Sequence, residues 1–139
     1  MVQERTETNQ APRALVVDDD ADAAAAVQIM LTAIGFAVEV ASSAQEAIAL
    51  LPGRVLDLAV LDLMMEETDS GVQVARALRR TPGNQQTPIL LLTAAAEKTG
   101  FRVPVDTPEE REWLGVDAWL DKPVTFQALQ AAIERPRHG

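Results

Sequence analysis

The sequence predicts an α/β domain, a doubly wound parallel sheet of five strands with helices on both faces. Short apolar runs recur along the chain, and most are followed by a segment whose apolar residues repeat with the period of a helix. Several of these runs end on a polar or charged residue, as strands do when their carboxyl ends line a site. We therefore expect one domain built from five strand–helix units.

Composition limits the class of protein. A chain of 139 residues with 47% hydrophobic residues suits a single globular domain. Its net charge of −9 argues against direct nucleic-acid binding and favours a protein partner or a cation. The lack of cysteine excludes disulfides and thiolate metal sites. Since neither a signal sequence nor a membrane-spanning apolar stretch is evident, we expect a cytoplasmic protein with no membrane contact.

The first strand and helix meet at an acidic corner. The apolar run Arg13–Val17 predicts a strand, and it ends abruptly at Asp18-Asp19-Asp20. The last of these aspartates, or Asp22, can cap the helix that follows. Gly35 is expected to end that helix, because glycine readily adopts the conformation that closes a helix.

The second strand–helix unit also has clear signals for where its helix begins and ends. Phe36–Val40 is predicted to form the second strand. Ser43 and Glu46 have the spacing of a capping box and open the next helix. Pro52-Gly53 ends it, because proline cannot continue a helix.

The third strand is the most informative stretch of the chain. Leu58–Leu61 is a continuous apolar run, the pattern of a strand buried on both faces, and it ends at Asp62. A partly buried carboxylate is costly unless something pairs with it, so Asp62 requires an explanation. The helix expected at Gly71–Arg80 carries three arginines near its exposed carboxyl end, the only basic cluster in the sequence.

A longer and less regular segment separates the last two strands. Pro88–Leu92 predicts the fourth strand, which ends at Thr93. Within Glu97–Gly115, a short helix is expected to begin at Thr107, which has a cap, a proline and a capping-box glutamate.

The final unit closes the domain. Val116–Asp121 predicts the fifth strand, Lys122-Pro123 interrupts it, and Thr125 begins the last helix. The expected boundaries are a flexible tail at residues 1–12, the domain at 13–135 and a short tail at 136–139.

Polar side chains end four of the five predicted strands, and they should meet at one edge of the sheet. These residues are Asp18, Asp19, Asp62, Thr93 and Lys122. Taken singly, each has an ordinary explanation as a helix cap, a strand-end hydroxyl or a turn lysine. As a set they predict a site.

The chemistry of that set points to phosphoryl transfer. Three clustered carboxylates repel one another and favour a bound cation. Oxygen ligands without histidine or cysteine favour Mg²⁺. A metal and an ammonium group can neutralise a phosphoryl group while a carboxylate attacks it. The residues therefore predict a Mg²⁺-dependent aspartyl-phosphate site.

At these residues the chain resembles the receiver domain of two-component response regulators, over residues 13–135. Each motif alone is weak, but their order and their strand-end positions make the set specific. The motifs are Leu-Val-Val-Asp18-Asp19, Leu-Asp62-Leu-Met-Met, Leu-Leu-Thr93-Ala94 and Lys122-Pro123.

The resemblance implies a fold and a set of roles. The fold would be flavodoxin-like, with strand order 2-1-3-4-5. Asp62 would accept the phosphoryl group from a histidine kinase or a phosphotransfer protein. Asp18 and Asp19 would hold Mg²⁺ together with Asp62 and the backbone carbonyl of Met64.

The resemblance also implies a conformational switch. Thr93 would hydrogen-bond a phosphoryl oxygen, and Lys122 would pair with the phosphoryl group. Trp119 occupies the family's switch-aromatic position, although a core tryptophan is the other interpretation of that position. The bond between Lys122 and Pro123 would be cis, as is usual in the family.

Two segments depart from the family pattern. After Asp62, the loop Glu66–Ser70 has one extra residue, and Glu66 stands where proline is usual. Solvated loop acids are the ordinary explanation. Our sharper hypothesis is that Glu66 or Glu67 approaches the metal. If the substitutions Glu66→Gln and Glu67→Gln left both the Mg²⁺ affinity and the phosphorylation rate unchanged, this hypothesis would be wrong. The segment Glu97–Gly115 is also atypical, which leaves the family's usual dimer face in doubt.

The leading hypothesis is a stand-alone receiver, a phosphorylation switch rather than an enzyme, which acts on a downstream protein as a monomer or weak dimer. A degenerate receiver that binds partners without phosphorylation is the alternative, kept open by the altered loop. A phosphatase with an aspartyl nucleophile is a weaker alternative, because it needs a second acid where this chain has Met64. A flavodoxin-like cofactor protein is disfavoured, since the acidic corner after the first strand would repel phosphate.

Overall fold

The computed structural model describes residues 11–62, 70–93 and 116–134. The strands are β1 Arg13–Val17, β2 Ala37–Ala41, β3 Leu58–Asp62, β4 Ile89–Thr93 and β5 Val116–Asp121. The helices of these ranges are α1 Ala21–Ile34, α2 Ala44–Leu50, α3 Ser70–Arg80 and α4 Phe126–Glu134. None of these helices is long and apolar enough to cross a bilayer. The short helix expected to begin at Thr107 lies outside the described residues.

All five strands are parallel and lie in the order β2-β1-β3-β4-β5. This arrangement confirms the predicted fold, a doubly wound sheet in which the strand order reverses beside β1. The connection after β1 leads to β2 on one side of it, and the later strands are added on the other side, beginning with β3. This reversal leaves a crevice at the carboxyl ends of β1 and β3. The fold therefore places a site where the sequence has its aspartates.

Hydrophobic side chains on both faces of the sheet form the core. Successive residues of a strand point to opposite faces, so Leu61 and Leu91 pack with α2 and α3. Val60 and Leu92 pack on the other face with α1 and α4. Each of these four side chains is at most 1% exposed. Apart from Arg13, the exposed first residue of β1, the central strands β1, β3 and β4 are apolar at every position before their ends because both of their faces are covered.

Capping side chains fix where the first two helices begin and end. The Asp20 carboxylate accepts hydrogen bonds from the backbone N–H groups of Asp22 and Ala23, so Asp20 is the cap of α1. Gly35 ends α1 with a φ of 125°. The Ser43 hydroxyl accepts from the N–H of Glu46 at 3.0 Å and caps α2. These caps confirm the sequence-based predictions that Asp20 and Ser43 begin helices and that Gly35 ends one.

One expectation about α3 is wrong. Arg79 does not belong to an exposed basic cluster, because it is only 8% exposed and its guanidinium donates to the backbone carbonyl of Asn84 at 2.9 Å. The loop after α3 folds back under the helix and offers that carbonyl to the arginine. The fully buried Asn84 side chain in turn accepts from Leu56 N–H and donates to the carbonyl of Arg54, both at 2.8 Å. Arg79 is thus part of a structural network at the amino end of the sheet.

Candidate functional site

Charged side chains converge at the carboxyl ends of the central strands. Asp18 directly follows β1 and is 1% exposed, and Asp62 ends β3 and is 3% exposed. The Lys122 ammonium lies 3.0 Å from Asp18 Oδ2 and 3.2 Å from Asp62 Oδ2. Lys122 follows β5, at the far edge of the sheet, so its long side chain reaches across β4 to the carboxylates. The structure brings together three of the residues that the sequence singled out.

The backbone around Asp18 holds its carboxylate in place. Its own N–H donates to the Ala41 carbonyl at 3.1 Å, which continues the pairing of β1 with β2. Asp18 Oδ1 accepts from the N–H of Asp20 at 2.9 Å, a tight turn that also starts α1. Asp18 Oδ2 is buried and has no hydrogen bond with good geometry among the described residues, although it lies near the Lys122 ammonium. One oxygen is therefore anchored and the other is directed into the site.

Lys122 is positioned by its backbone as well as by its charge. Its N–H donates to the Thr93 carbonyl at 2.8 Å, which ties the turn after β5 to the end of β4. The Lys122-Pro123 peptide bond is cis, as the family resemblance implied. The side chain is 22% exposed, so the ammonium reaches the buried carboxylates while part of its stem remains near solvent.

Burial and like charge disfavour ionisation of Asp62. Desolvation and the nearby Asp18 carboxylate raise the pKa of Asp62 to about 7, while the Lys122 ammonium opposes that rise. Burial by itself would lower the pKa of Lys122, but its contacts with Asp18 and Asp62 raise it overall. The lysine is thus held protonated, and Asp62 is a carboxyl group whose charge depends on a nearby cation.

The acidic residues fit a hard divalent cation. One carboxylate oxygen from each of Asp18, Asp19 and Asp62 lies within 4.8 Å of the others. Asp19 is exposed and faces solvent at the rim, whereas the other two are buried. Asp18 Oδ2 is buried and accepts no hydrogen bond from the part of the chain that the structure describes, so it is available as a metal ligand, and an all-oxygen set favours Mg²⁺. The expected Met64 carbonyl ligand lies outside the described residues, as do Glu66 and Glu67.

Thr93 and Trp119 lie on the two strands that follow β3 in the sheet, toward the same end of the sheet: Thr93 is the last residue of β4, and Trp119 is in β5. Thr93 is buried, and its hydroxyl donates to Asp121 Oδ1 at 3.5 Å. Trp119 is 44% exposed, which contradicts the interpretation of this residue as a core tryptophan. The strand register explains their position, because Asp62 is paired with Leu92 and Thr93 follows immediately. Thr93 is therefore adjacent to the acidic group without belonging to it.

An open cavity of about 410 Å³ lies beside the site, between α1 and the turn after β5. Apolar side chains such as Val27 and Leu92 form part of its wall. Asp20, Asp22 and Lys122 supply charge at the same cavity. Through this cavity, the Lys122 side chain can be reached from the α1 side of the site.

Sequence reasoning missed one residue of this region. Asp121 was treated only as the end of a strand, yet its carboxylate accepts the Thr93 hydroxyl hydrogen bond. The signal was present, since Asp121 ends β5 as Asp62 ends β3, and both are carboxylates at strand ends. Applying the same argument to every strand end would have found it.

The chain matches one protein family over most of its length. The family profile described as the response regulator receiver domain matches residues 14–134. Among curated relatives, the transcriptional regulatory protein AfsQ1 of Streptomyces coelicolor is 34% identical over 88% of this chain and 49% of its own length. The transcriptional regulatory protein CpxR of Klebsiella pneumoniae is 34% identical over 86% of this chain and 46% of its own length. The chain spans about half the length of these relatives.

Solved structures agree with this match. A sensor protein from Polaromonas has a TM-score of 0.72 at 29% identity, covering 89% of this chain and 94% of the other. The chemotaxis response regulator CheY4 of Vibrio cholerae has a TM-score of 0.70 at 25% identity, covering 89% of this chain and 97% of the other. Both are similar to this chain in fold along nearly their whole length.

Proposed function

The chain belongs to the response regulator receiver domain family, and we propose that it takes a phosphoryl group on Asp62 from a histidine kinase or a phosphotransfer protein. The single observation that carries this proposal is the contact of one ammonium group with two buried carboxylates at the switch point of the sheet. Asp62 ends β3, so its carboxylate has the strand-end position that a nucleophile in the crevice requires.

The proposed transfer is a direct displacement at phosphorus. An Asp62 carboxylate oxygen forms the new P–O bond as the P–N bond to the donor imidazole breaks, and the imidazole nitrogen keeps the electron pair and then takes a proton. The product is an acyl phosphate, which water hydrolyses to restore the carboxylate. The chain thus catalyses only its own phosphorylation and dephosphorylation, and in that sense it is a switch and not an enzyme.

Mg²⁺ is the proposed cofactor, held by Asp18, Asp19 and Asp62, with the Met64 carbonyl as a further ligand. When bound, it supplies positive charge for the phosphoryl oxygens. The raised pKa of Asp62, about 7, supports this role, because near neutral pH the carboxyl group is only partly ionised without a cation. A protonated carboxyl group is a poor nucleophile, so a nearby cation favours the reactive form.

Lys122 and Thr93 have complementary roles in the phosphorylated state. The Lys122 ammonium, now 3.2 Å from Asp62 Oδ2, would pair with a phosphoryl oxygen. The Thr93 hydroxyl would donate to another phosphoryl oxygen, which requires it to leave Asp121. Trp119 follows as the switch aromatic, and its partial exposure supports a side chain with room to change rotamer.

The output of the switch is proposed to be a contact with a downstream protein. The named relatives are transcriptional regulators about twice as long as this chain, so the proposal of a stand-alone receiver concerns this chain and not those relatives. The net charge of −9 supports a protein partner in place of nucleic acid. We further propose a cytoplasmic location and a monomer or weak dimer.

Acetyl phosphate tests the central proposal directly. Incubation with acetyl phosphate and Mg²⁺ should add one phosphoryl group to the intact mass, and the adduct should disappear on chelation of Mg²⁺ or in Asp62→Asn. Asp57→Asn is the matched control, since it makes the same change just before the opposite end of β3 and should keep the adduct.

The other outcomes favour the other hypotheses. A protein with no adduct that nevertheless binds a partner would be a degenerate receiver. Sustained release of phosphate from unrelated esters would indicate a phosphatase. An adduct that survives in Asp62→Asn would show that another residue is the acceptor.

A further inference from the structure

The Thr93 hydroxyl already has an acceptor in this structure. It donates to Asp121 Oδ1 at 3.5 Å, and a carboxylate can only accept, so the hydroxyl must supply the proton. Thr93 is 5% exposed, whereas Asp121 is exposed at the edge strand of the sheet. A buried hydroxyl is therefore directed toward a carboxylate that stands at the surface.

Backbone register sets this pair. Thr93 and Asp121 are directly paired across β4 and β5, and Lys122 N–H donates to the Thr93 carbonyl at 2.8 Å. Neighbouring residues of a strand point to opposite faces, so Asp121 is directed to Thr93 while Lys122 is directed to Asp18 and Asp62. Two adjacent residues of opposite charge thus contact two different groups of the site.

A hydroxyl has one proton to donate. If it is donated to Asp121, it is not available to a phosphoryl oxygen on Asp62. The two acceptors therefore compete, and each contact is present in only one state of the domain. A contact made in only one of two states shifts the equilibrium toward that state.

We propose that Asp121 is a positioning residue that holds the Thr93 hydroxyl in the unphosphorylated state and so raises the threshold for switching. This inference rests on the proposed phosphorylation of Asp62 and adds a determinant of its equilibrium. The contact is long and lies at a solvent-exposed edge, so its contribution is modest, and its loss changes the equilibrium about threefold.

Beryllofluoride, a mimic of the phosphoryl group, gives the test. Its apparent dissociation constant is measured in the presence of Mg²⁺ by the fluorescence of the two tryptophans. Asp121→Ala should bind the mimic about threefold more tightly than the wild type, because the Thr93 hydroxyl no longer has a competing acceptor. Glu134→Ala, which removes an exposed carboxylate at the end of α4, is the matched control and should bind as the wild type does.

Thr93→Val separates the hydroxyl contact from the charge of Asp121. In that background the hydroxyl is absent, so adding Asp121→Ala should leave the dissociation constant unchanged. Equal tightening in both backgrounds would show that Asp121 acts by charge alone and would overturn the proposal. Wild-type affinity in Asp121→Ala would overturn it too, and leave phosphorylation of Asp62 standing. A wild-type protein that does not bind the mimic would overturn both proposals.

Discussion

At the scale of single residues, the site stores electrostatic strain that a cation can relieve. Asp18 and Asp62 are almost fully buried and share one ammonium group. The Lys122 ammonium carries one positive charge against these two buried carboxylates, and Asp19 adds a third carboxylate at the rim, so negative charge is in excess among the described residues of the site. The arrangement of these charges therefore favours the binding of a cation, and without a cation it lowers the stability of the folded protein.

Replacing Asp62 should stabilise the protein in the absence of Mg²⁺. The pKa of Asp62 is raised to about 7 in the folded state, above the ordinary aspartate value of 3.8 that applies to the unfolded chain. The unfolded chain therefore ionises first, and folding stability is lost as pH rises between these two values and stays low above them. Asp62→Asn removes that loss of stability. The free energy of unfolding of the variant should therefore exceed that of the wild type only slightly near pH 4 and by a few kcal/mol at pH 8, because one pKa unit corresponds to about 1.4 kcal/mol.

Urea unfolding of wild type and Asp62→Asn in chelator, from pH 4 to pH 8, measures this gain. The diagnostic quantity is the growth of the difference with pH, since a simple packing effect of the substitution would be the same at every pH. A difference that stayed constant over this range would contradict the assignment of the strain to the Asp62 charge.

At the scale of elements, the loop between α3 and β4 depends on a glycine. Gly83 has a φ of +91°, and a Cβ built there would lie 2.7 Å from Val55 Cγ2. Gly53 also has a positive φ, +81°, but a Cβ there would have open space. The two positions therefore share the backbone requirement and differ in the steric one.

Alanine substitutions separate these two requirements. We expect Gly53→Ala to cost about 1 kcal/mol from the left-handed backbone alone. Gly83→Ala should cost about 0.5–1.5 kcal/mol more, because the methyl group also overlaps Val55 Cγ2 and the exposed valine must leave its preferred rotamer to make room. Adding Val55→Ala should recover the difference, because Val55 is 58% exposed and its own side chain contributes little to the core. Urea denaturation at fixed pH measures all four proteins, and equal losses at the two glycines would show that the contact with Val55 relaxes freely.

At the scale of the whole molecule, Mg²⁺ should couple the site to global stability. A ligand that binds only the folded state at about 100 times its dissociation constant stabilises it by about 2.7 kcal/mol. The thermal midpoint should therefore rise with Mg²⁺ concentration at pH 8. At pH 5 the rise should be much smaller, because Asp62, with its pKa of about 7, is protonated and the cation must displace that proton.

Asp18→Asn is the informative variant for this coupling. It removes one proposed ligand charge and replaces one of the two carboxylate oxygens, which a cation can bind, by an NH2 group, which it cannot. It should lose most of the Mg²⁺-dependent shift measured by differential scanning calorimetry, whereas Asp57→Asn should retain it. A full shift in Asp18→Asn would place the cation elsewhere.

Much of this architecture could be predicted from the sequence because it follows from local patterns. Three apolar runs marked the strands β1, β3 and β4, and caps such as Ser43 and Gly35 marked helix ends within a residue or so. The parallel sheet followed from the alternation, and the position of Asp62 at a strand end followed from the apolar run before it. The motifs at the strand ends then indicated the family that the profile match shows.

Only the tertiary structure decided which side chains meet and how strongly they interact. Arg79 was expected at the surface, but the fold of the following loop placed a carbonyl beneath it and buried it. The raised pKa of Asp62 depends first on its burial and then on the nearby Asp18 carboxylate, while the Lys122 ammonium opposes the rise, and these three residues are far apart in the chain. The contact of Thr93 with Asp121 depends on the register of β4 against β5. Sequence periodicity determines which face a residue occupies, whereas register and burial, which set electrostatic energies, exist only once the strands have packed.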